Sequence, residues 1–136
     1  TVALQREGSR PFRISANVGE RTPIPWTASG RLLLGPFSDD EIRYLIPANV
    51  SVLPDVLHTD FHAYLVEIRQ AAKDGFFSFD SIVDTFTHCF AAPIRDQNGV
   101  CVATVCIVAP KDDARKNYAQ YRDALKSAGD KLSHSV

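Results

Sequence analysis

The sequence predicts a single α/β domain in which an antiparallel sheet is covered by helices on both faces, and three observations carry that prediction. From His88 to Pro110 the chain reads HCFAAPIRDQNGVCVATVCIVAP, two long apolar runs around Asp96-Gln97-Asn98-Gly99. Asn-Gly is the strongest short-range hairpin signal because both residues tolerate φ > 0. Taken as the two loop residues of a type I′ turn, Asn98 and Gly99 set Gln97 against Val100, Ala91 against Cys106 and Cys89 against Val108. One face then carries Cys89, Ala91, Pro93, Thr104, Cys106 and Val108, and the other Phe90, Ala92, Ile94, Ala103, Val105 and Ile107. Neither face is polar, so both need cover. Few other strand candidates exist, and several stretches have helical periodicity, so helices must supply that cover. The small Ala91, Ala92 and Ala103 suit close approach of a helix or a ligand.

In chain order, Thr1 to Arg6 and Phe12 to Ala16 read as two short strands forming an antiparallel pair about the Glu7–Pro11 turn. Asn17 to Trp26, with Gly19, Pro23 and Pro25, is a rigid loop. Thr27 opens a short helix that closes on Leu32-Leu33-Leu34 and Gly35-Pro36. Ser38-Asp39-Asp40-Glu41 fits a capping box, placing a helix through Leu45. Pro47 and Pro54 bracket an irregular connector. Phe61, Tyr64, Leu65, Ile68 and Ala72 repeat at helical spacing from Thr59 or Asp60 to Lys73, with Gly75 as the stop. Phe76 to Phe79 is extended, and Asp80 to Phe86 is compatible with a turn of helix. Ala114, Tyr118, Tyr121, Leu125, Ala128 and Leu132 mark one stripe of a final helix from about Asp112 to Ser133.

Bulk composition narrows the function classes. The 136 residues suffice for one domain with a real core. Hydrophobic content of 45% and charged content of 23% are ordinary for a globular protein. With 15 Lys+Arg against 16 Asp+Glu, the net charge of -1 argues against a nucleic-acid-binding surface. No apolar run approaches the roughly 20 residues that span a bilayer, and the first residues are no signal peptide. The three cysteines all lie in the hairpin region and cannot pair completely, which suits buried reduced thiols of a cytoplasmic protein. The chain lacks Met and is expected to be part of something longer.

Several residue groups invite a chemical reading. Cys89 follows His88, but neighbours on a strand point to opposite faces, so His88 cannot activate that thiol. His58 and His62 have the spacing of two ligands on one helix face, yet lack the Glu of a zinc-protease motif and a third ligand; no metal or cofactor is expected. Asp80 with Asp84, and Asp112 with Asp113, read as caps and solvated charge. Thr27-Ala28-Ser29-Gly30 combines a helix start with small residues, and its unpaired N–H groups suit a carboxylate or phosphate. From this stretch alone an ordinary capped helix is the favoured reading; the small hairpin face raises the functional one, since it could complete a pocket in front of the N–H groups.

RPFRISANVGERTPIPWTASGRLLLG (Arg10 to Gly35), IRQAAKDGFFSFD (Ile68 to Asp80) and CFAAPIRDQNGVCVATVCIVAP (Cys89 to Pro110) occur in that order. Together they resemble the C-terminal effector-binding domain of IclR-type bacterial transcriptional regulators. Members show a Pro-spacer-Thr-Ala-x-Gly-Lys helix start, a Gly-aromatic-x-x-Asp segment and a Cys-Ile-Ala-Ala-Pro-Ile hairpin. The resemblance implies a GAF-like α/β (α+β) fold over residues 1–136, with a curved antiparallel sheet and helices on both faces. It implies a small-molecule effector, self-association as a homodimer or homotetramer, and no catalysis. DNA would be bound through a separate N-terminal winged helix-turn-helix, which this chain lacks along with the usual opening helix and strand.

By the same resemblance the effector would meet the N–H groups of Ala28 and Ser29 after Trp26 and Thr27. The hairpin residues Cys89, Ala91, Cys106 and Val108 would face it, with Asp80 as the nearest acidic match and Phe79 beside it. Members that bind small hydrophilic acids carry Ser where Cys106 and Val108 stand here, and Cys and Val donate weakly or not at all. With Trp26 and Phe79 as aromatic walls, an organic acid with an aromatic or apolar body is expected. Arg31 replaces the usual Lys, and Ser81-Ile82 replaces the acidic pair that usually follows the Asp. The rival readings are a small enzyme using Cys89 or Asp80 in the same pocket, and a ligand-free dimerisation domain.

Overall fold

A computed structural model describes residues 1–9, 17–46 and 61–136. A 3-10 turn at Ile24–Trp26 leads into α1 (Ala28–Leu33), followed by α2 (Asp39–Leu45), α3 (Phe61–Asp74), β1 (Phe77–Asp80), β2 (Thr87–Arg95), β3 (Cys101–Pro110), α4 (Lys111–Lys116) and α5 (Tyr118–Ser133). The strands form one antiparallel sheet in the order β1-β2-β3. Helix α1 packs across one face, and α5 covers the other. This is the mixed α/β sandwich expected from a hairpin that is apolar on both sides.

Both capping signals work as read. The Thr27 hydroxyl accepts from the Gly30 N–H at 2.9 Å. Ser38 and Glu41 make the reciprocal box, with Glu41 N to Ser38 Oγ at 3.2 Å and Ser38 N to Glu41 Oε2 at 2.8 Å. Three clusters build the interior. Leu34, Ile42, Ile46, Tyr64, Leu65 and Ile68 join α1, α2 and α3. Ala28, Leu32, Ala71 and Ala91 seat α1 on the sheet. On the opposite face Phe76, Phe90, Ala92, Ala109, Ala114 and Leu125 pack together, with the Tyr118 and Tyr121 rings each 5.5 Å from that of Phe90.

The hairpin register is the expected one, reached by a different turn. Ala91 pairs with Cys106 and Cys89 with Val108. The loop, however, has three residues: Asp96 N donates to Val100 O, and Gly99 N to Asp96 O. Gly99 alone in the loop has positive φ, at 78°, as in a type I turn closed by a left-handed glycine. The Asp96 carboxylate holds it by accepting from Asn98 N and Val100 N. Gln97 therefore does not face Val100. Such a loop alone would shift the pairing by one residue. Between the Ile94–Ala103 and Arg95–Cys101 pairs, Val102 is an extra residue on β3 and shifts it back.

The structure departs from four other expectations. Residues 1–6 are not a strand; among the described residues, Val2 exchanges backbone bonds with Glu20 and Gly19. Asp80 to Phe86 is no helical turn, because Asp84 accepts from Phe86 N, Thr87 N and Thr87 Oγ1 and fixes a non-helical bend. The final helix is two helices. Asn117, at φ −114° and ψ 23°, interrupts it and donates from its side chain to Asp113, a local bond that competes with helix continuation. Cys106 is exposed rather than buried, with Cys89 and Cys101 half-buried and all three unpaired. The expected strand at Phe12–Ala16, the Pro47–Pro54 connector, His58 and the start of α3 before Phe61 lie outside the described residues.

Candidate functional site

The site begins at the junction of the 3-10 turn and α1, where Thr27 ties both pieces together. Its hydroxyl donates to Ile24 O at 3.1 Å while accepting from Gly30 N. Gly30 is required here: a Cβ on it would stand 2.0 Å from Ile24 O. This contact folds the Trp26–Ser29 segment back over the sheet. Ser29 Oγ lies 3.0 Å from Cys106 Sγ and accepts from Thr104 Oγ1 at 2.8 Å. The start of α1 and the second hairpin strand, 77 residues apart in sequence, thus meet at hydrogen-bonding distance.

Of the ten residues singled out from the sequence, nine share this side of the sheet. Trp26, Thr27, Ala28 and Ser29 form the turn above it. Phe79 pairs with Cys89 on the strands below, and Cys89 with Val108. Ala91, fully buried beneath Ala28 and Leu32, is floor. Cys106 is exposed and Val108 half-buried, so this end of the face is open.

Asp80 is the exception. One residue beyond Phe79, it falls on the opposite face, where His88 Nδ1 is 2.8 Å and Lys111 Nζ 3.8 Å away. The hydrogen bond from His88 is the main cause holding its carboxyl below the usual range. Strand alternation put it there, and the expectation that it faces the effector is corrected.

Burial pushes the Cys89 thiol up to about 11, with the nearby Asp84 carboxylate adding to the effect. A thiol so placed is a poor nucleophile, and His88 is indeed on the other side of the strand. Ala28 and Ser29 occupy the first two helical positions, where N–H groups have no partner within the helix. Trp26 Nε1, just ahead of the cap, is buried with no acceptor among the described residues.

The sequence marks Arg31 only by its charge. It is 4% exposed and lies directly behind this turn. Nη1 donates to Pro25 O and Thr27 O, each at 2.9 Å, and Nε donates to Glu67 at 2.9 Å. The rings of Tyr64, Phe77 and Phe79 stand 4.7–5.1 Å from its guanidinium carbon. Hairpin alternation puts Thr104 on this face without giving it a role, and nothing in the sequence points to Glu67. A separate surface depression of about 420 Å³ is lined by Phe37, Asp40, Glu41, Tyr44 and Leu45 on and before α2.

A family model described as bacterial transcriptional regulator IclR C-terminal matches residues 2–134. The chain belongs to the IclR C-terminal family. Among solved structures, this IclR domain is similar to a chain from Rhodococcus sp. RHA1 described as a transcriptional regulator. The identity is 26% and the TM-score 0.79, over 93% of this chain and 52% of that one. The repressor BlcR of Agobacterium tumefaciens is 26% identical with a TM-score of 0.68, over 88% and 50%. The C-terminal domain of the E. coli regulator KdgR shares the fold at 22% identity and a TM-score of 0.67, over 86% and 73%. The IclR domain spans about half the length of the Rhodococcus and Agobacterium proteins. No curated protein matches it. Among the described residues no helix is long and apolar enough to cross a membrane.

Proposed function

We propose that this IclR domain senses a small organic acid and has no catalytic role. The effector carboxylate is received by the Ala28 and Ser29 N–H groups, and its body lies over Cys89, Cys106 and Val108 between Trp26 and Phe79. The observation that carries the reading is the 3.0 Å approach of Ser29 to Cys106, which brings a helix start with unpaired N–H groups against the open, mildly polar sheet face. The face offers thiols, one threonine and apolar groups, so an aromatic or otherwise apolar acid leaves fewer polar atoms unsatisfied than a two-carbon oxo acid does. The elevated Cys89 thiol supports binding over covalent chemistry. In the complete regulator, which self-associates, occupancy of this face biases the arrangement of subunits and thereby the DNA affinity of separate modules.

A thermal-shift screen of aromatic and aliphatic acids tests this. A ligand at 100 times its Kd adds about 2.7 kcal/mol of stability. The expected result is a hit among benzoate-type acids that disappears in Val108→Asp. Tight binding of a two-carbon oxo acid with none of the aromatic acids would refute the aromatic assignment.

A further inference from the structure

We propose that buried Arg31 and its part-exposed partner Glu67 set the anion affinity of the effector turn, acting through the Thr27–Ala28 peptide. The inference rests on the reading that Ala28 and Ser29 receive the effector's carboxylate. The Thr27 carbonyl and the Ala28 N–H belong to one trans peptide, so they point in opposite directions. Arg31 Nη1 donates to that carbonyl at 2.9 Å. The N–H therefore points away from the guanidinium, and the cation polarises the peptide so that the N–H becomes a stronger donor. The second Nη1 bond, to Pro25 O, ties the same guanidinium to the Pro25–Trp26 peptide two links earlier in the turn.

Arg31 is walled by Tyr64, Phe77 and Phe79, so little solvent screens its charge. Among the described residues, the carboxylate bonded to it is that of Glu67 on α3, whose side chain is 44% exposed. Glu67 thus neutralises part of the field that an incoming anion feels. Arg31 and Glu67 are positioning residues, one favouring an anion at the turn and the other opposing it.

The two roles predict opposite signs, which loss of packing does not. Glu67→Gln keeps an acceptor for Arg31 Nε and removes the negative charge. It should tighten benzoate by several-fold to about tenfold while leaving neutral benzamide unchanged. Arg31→Met should weaken benzoate and spare benzamide by comparison, and Arg31→Lys should restore part of the loss. Binding is followed by the amide NMR signals of Ala28 and Ser29 in the whole chain. If Glu67→Gln shifts both ligands equally, or weakens benzoate, the inference is overturned. If benzoate fails to bind the wild type, the aromatic-acid reading falls, but the inference is still decided in the ligand-free protein. There the Ala28 amide proton must move in opposite directions in Glu67→Gln and Arg31→Met, and an unmoved signal overturns it.

Discussion

Gly30→Ala sets two known effects against each other. An alanine in a helix is favoured over glycine by about 1 kcal/mol, so propensity alone predicts a more stable protein. The added Cβ would lie 2.0 Å from Ile24 O and 2.8 Å from Ile24 C, where real Cβ atoms keep at least 3.0 Å. Backbone must therefore separate by about 1 Å, and the obstacle is a carbonyl rather than a side chain that can swing away. Overpacking of this kind costs about 1–3 kcal/mol. The same displacement pulls Thr27 from Ile24 and Gly30, and loss of a cap costs about 1 kcal/mol more. The net expectation is destabilisation of about 1–3 kcal/mol. For a domain of this size that lowers Tm by roughly 3–11 °C. Thermal and urea denaturation measure it, and any ligand of the sheet face should bind more weakly to the variant. A Tm at or above that of the wild type would show that propensity wins and that the turn is not held against Gly30.

Three further outcomes follow from particular contacts. Tyr64→Phe removes a buried hydroxyl that has no partner among the described residues, so stability should hold or rise by about 1 kcal/mol. The variant should also lose part of the decline in stability above pH 10, since burial raises the Tyr64 pKa to about 12 and the unfolded state ionises first; a loss of 2 kcal/mol at neutral pH would refute this. Asp80→Ala, on the face away from Ser29 and Cys106, should leave ligand affinity within about twofold of wild type. Its own effect is a small stability change present above the ordinary carboxyl range and lost as pH falls, because the folded state holds Asp80 ionised. A thiol reagent at neutral pH should modify exposed Cys106 first and Cys89 last, as judged by mass spectrometry, and fast labelling of Cys89 would contradict its burial.

Much of the site was legible because local chemistry fixed it. The Ser38–Glu41 box and the Thr27 cap are decided within four residues, and the structure forms both. Face membership on the hairpin followed from period-two alternation, so Cys89, Cys106 and Val108 could be grouped before any fold was known. That register survived a wrong turn only because the bulge at Val102 offsets the third loop residue. A bulge answers to how the strand bends under its covering helix, and the flanking residues carry no sign of it.

The sequence by itself determined the α/β class, the caps and which hairpin residues share a face, since each depends on neighbours a few positions away. Tertiary structure alone decided that Ser29 reaches Cys106, that Asp80 faces away, and that Arg31 is buried against Glu67, 36 residues distant. These depend on where one packed layer sits on another. Apolar burial drives that packing without direction, and periodicity within a segment does not encode the offset between segments.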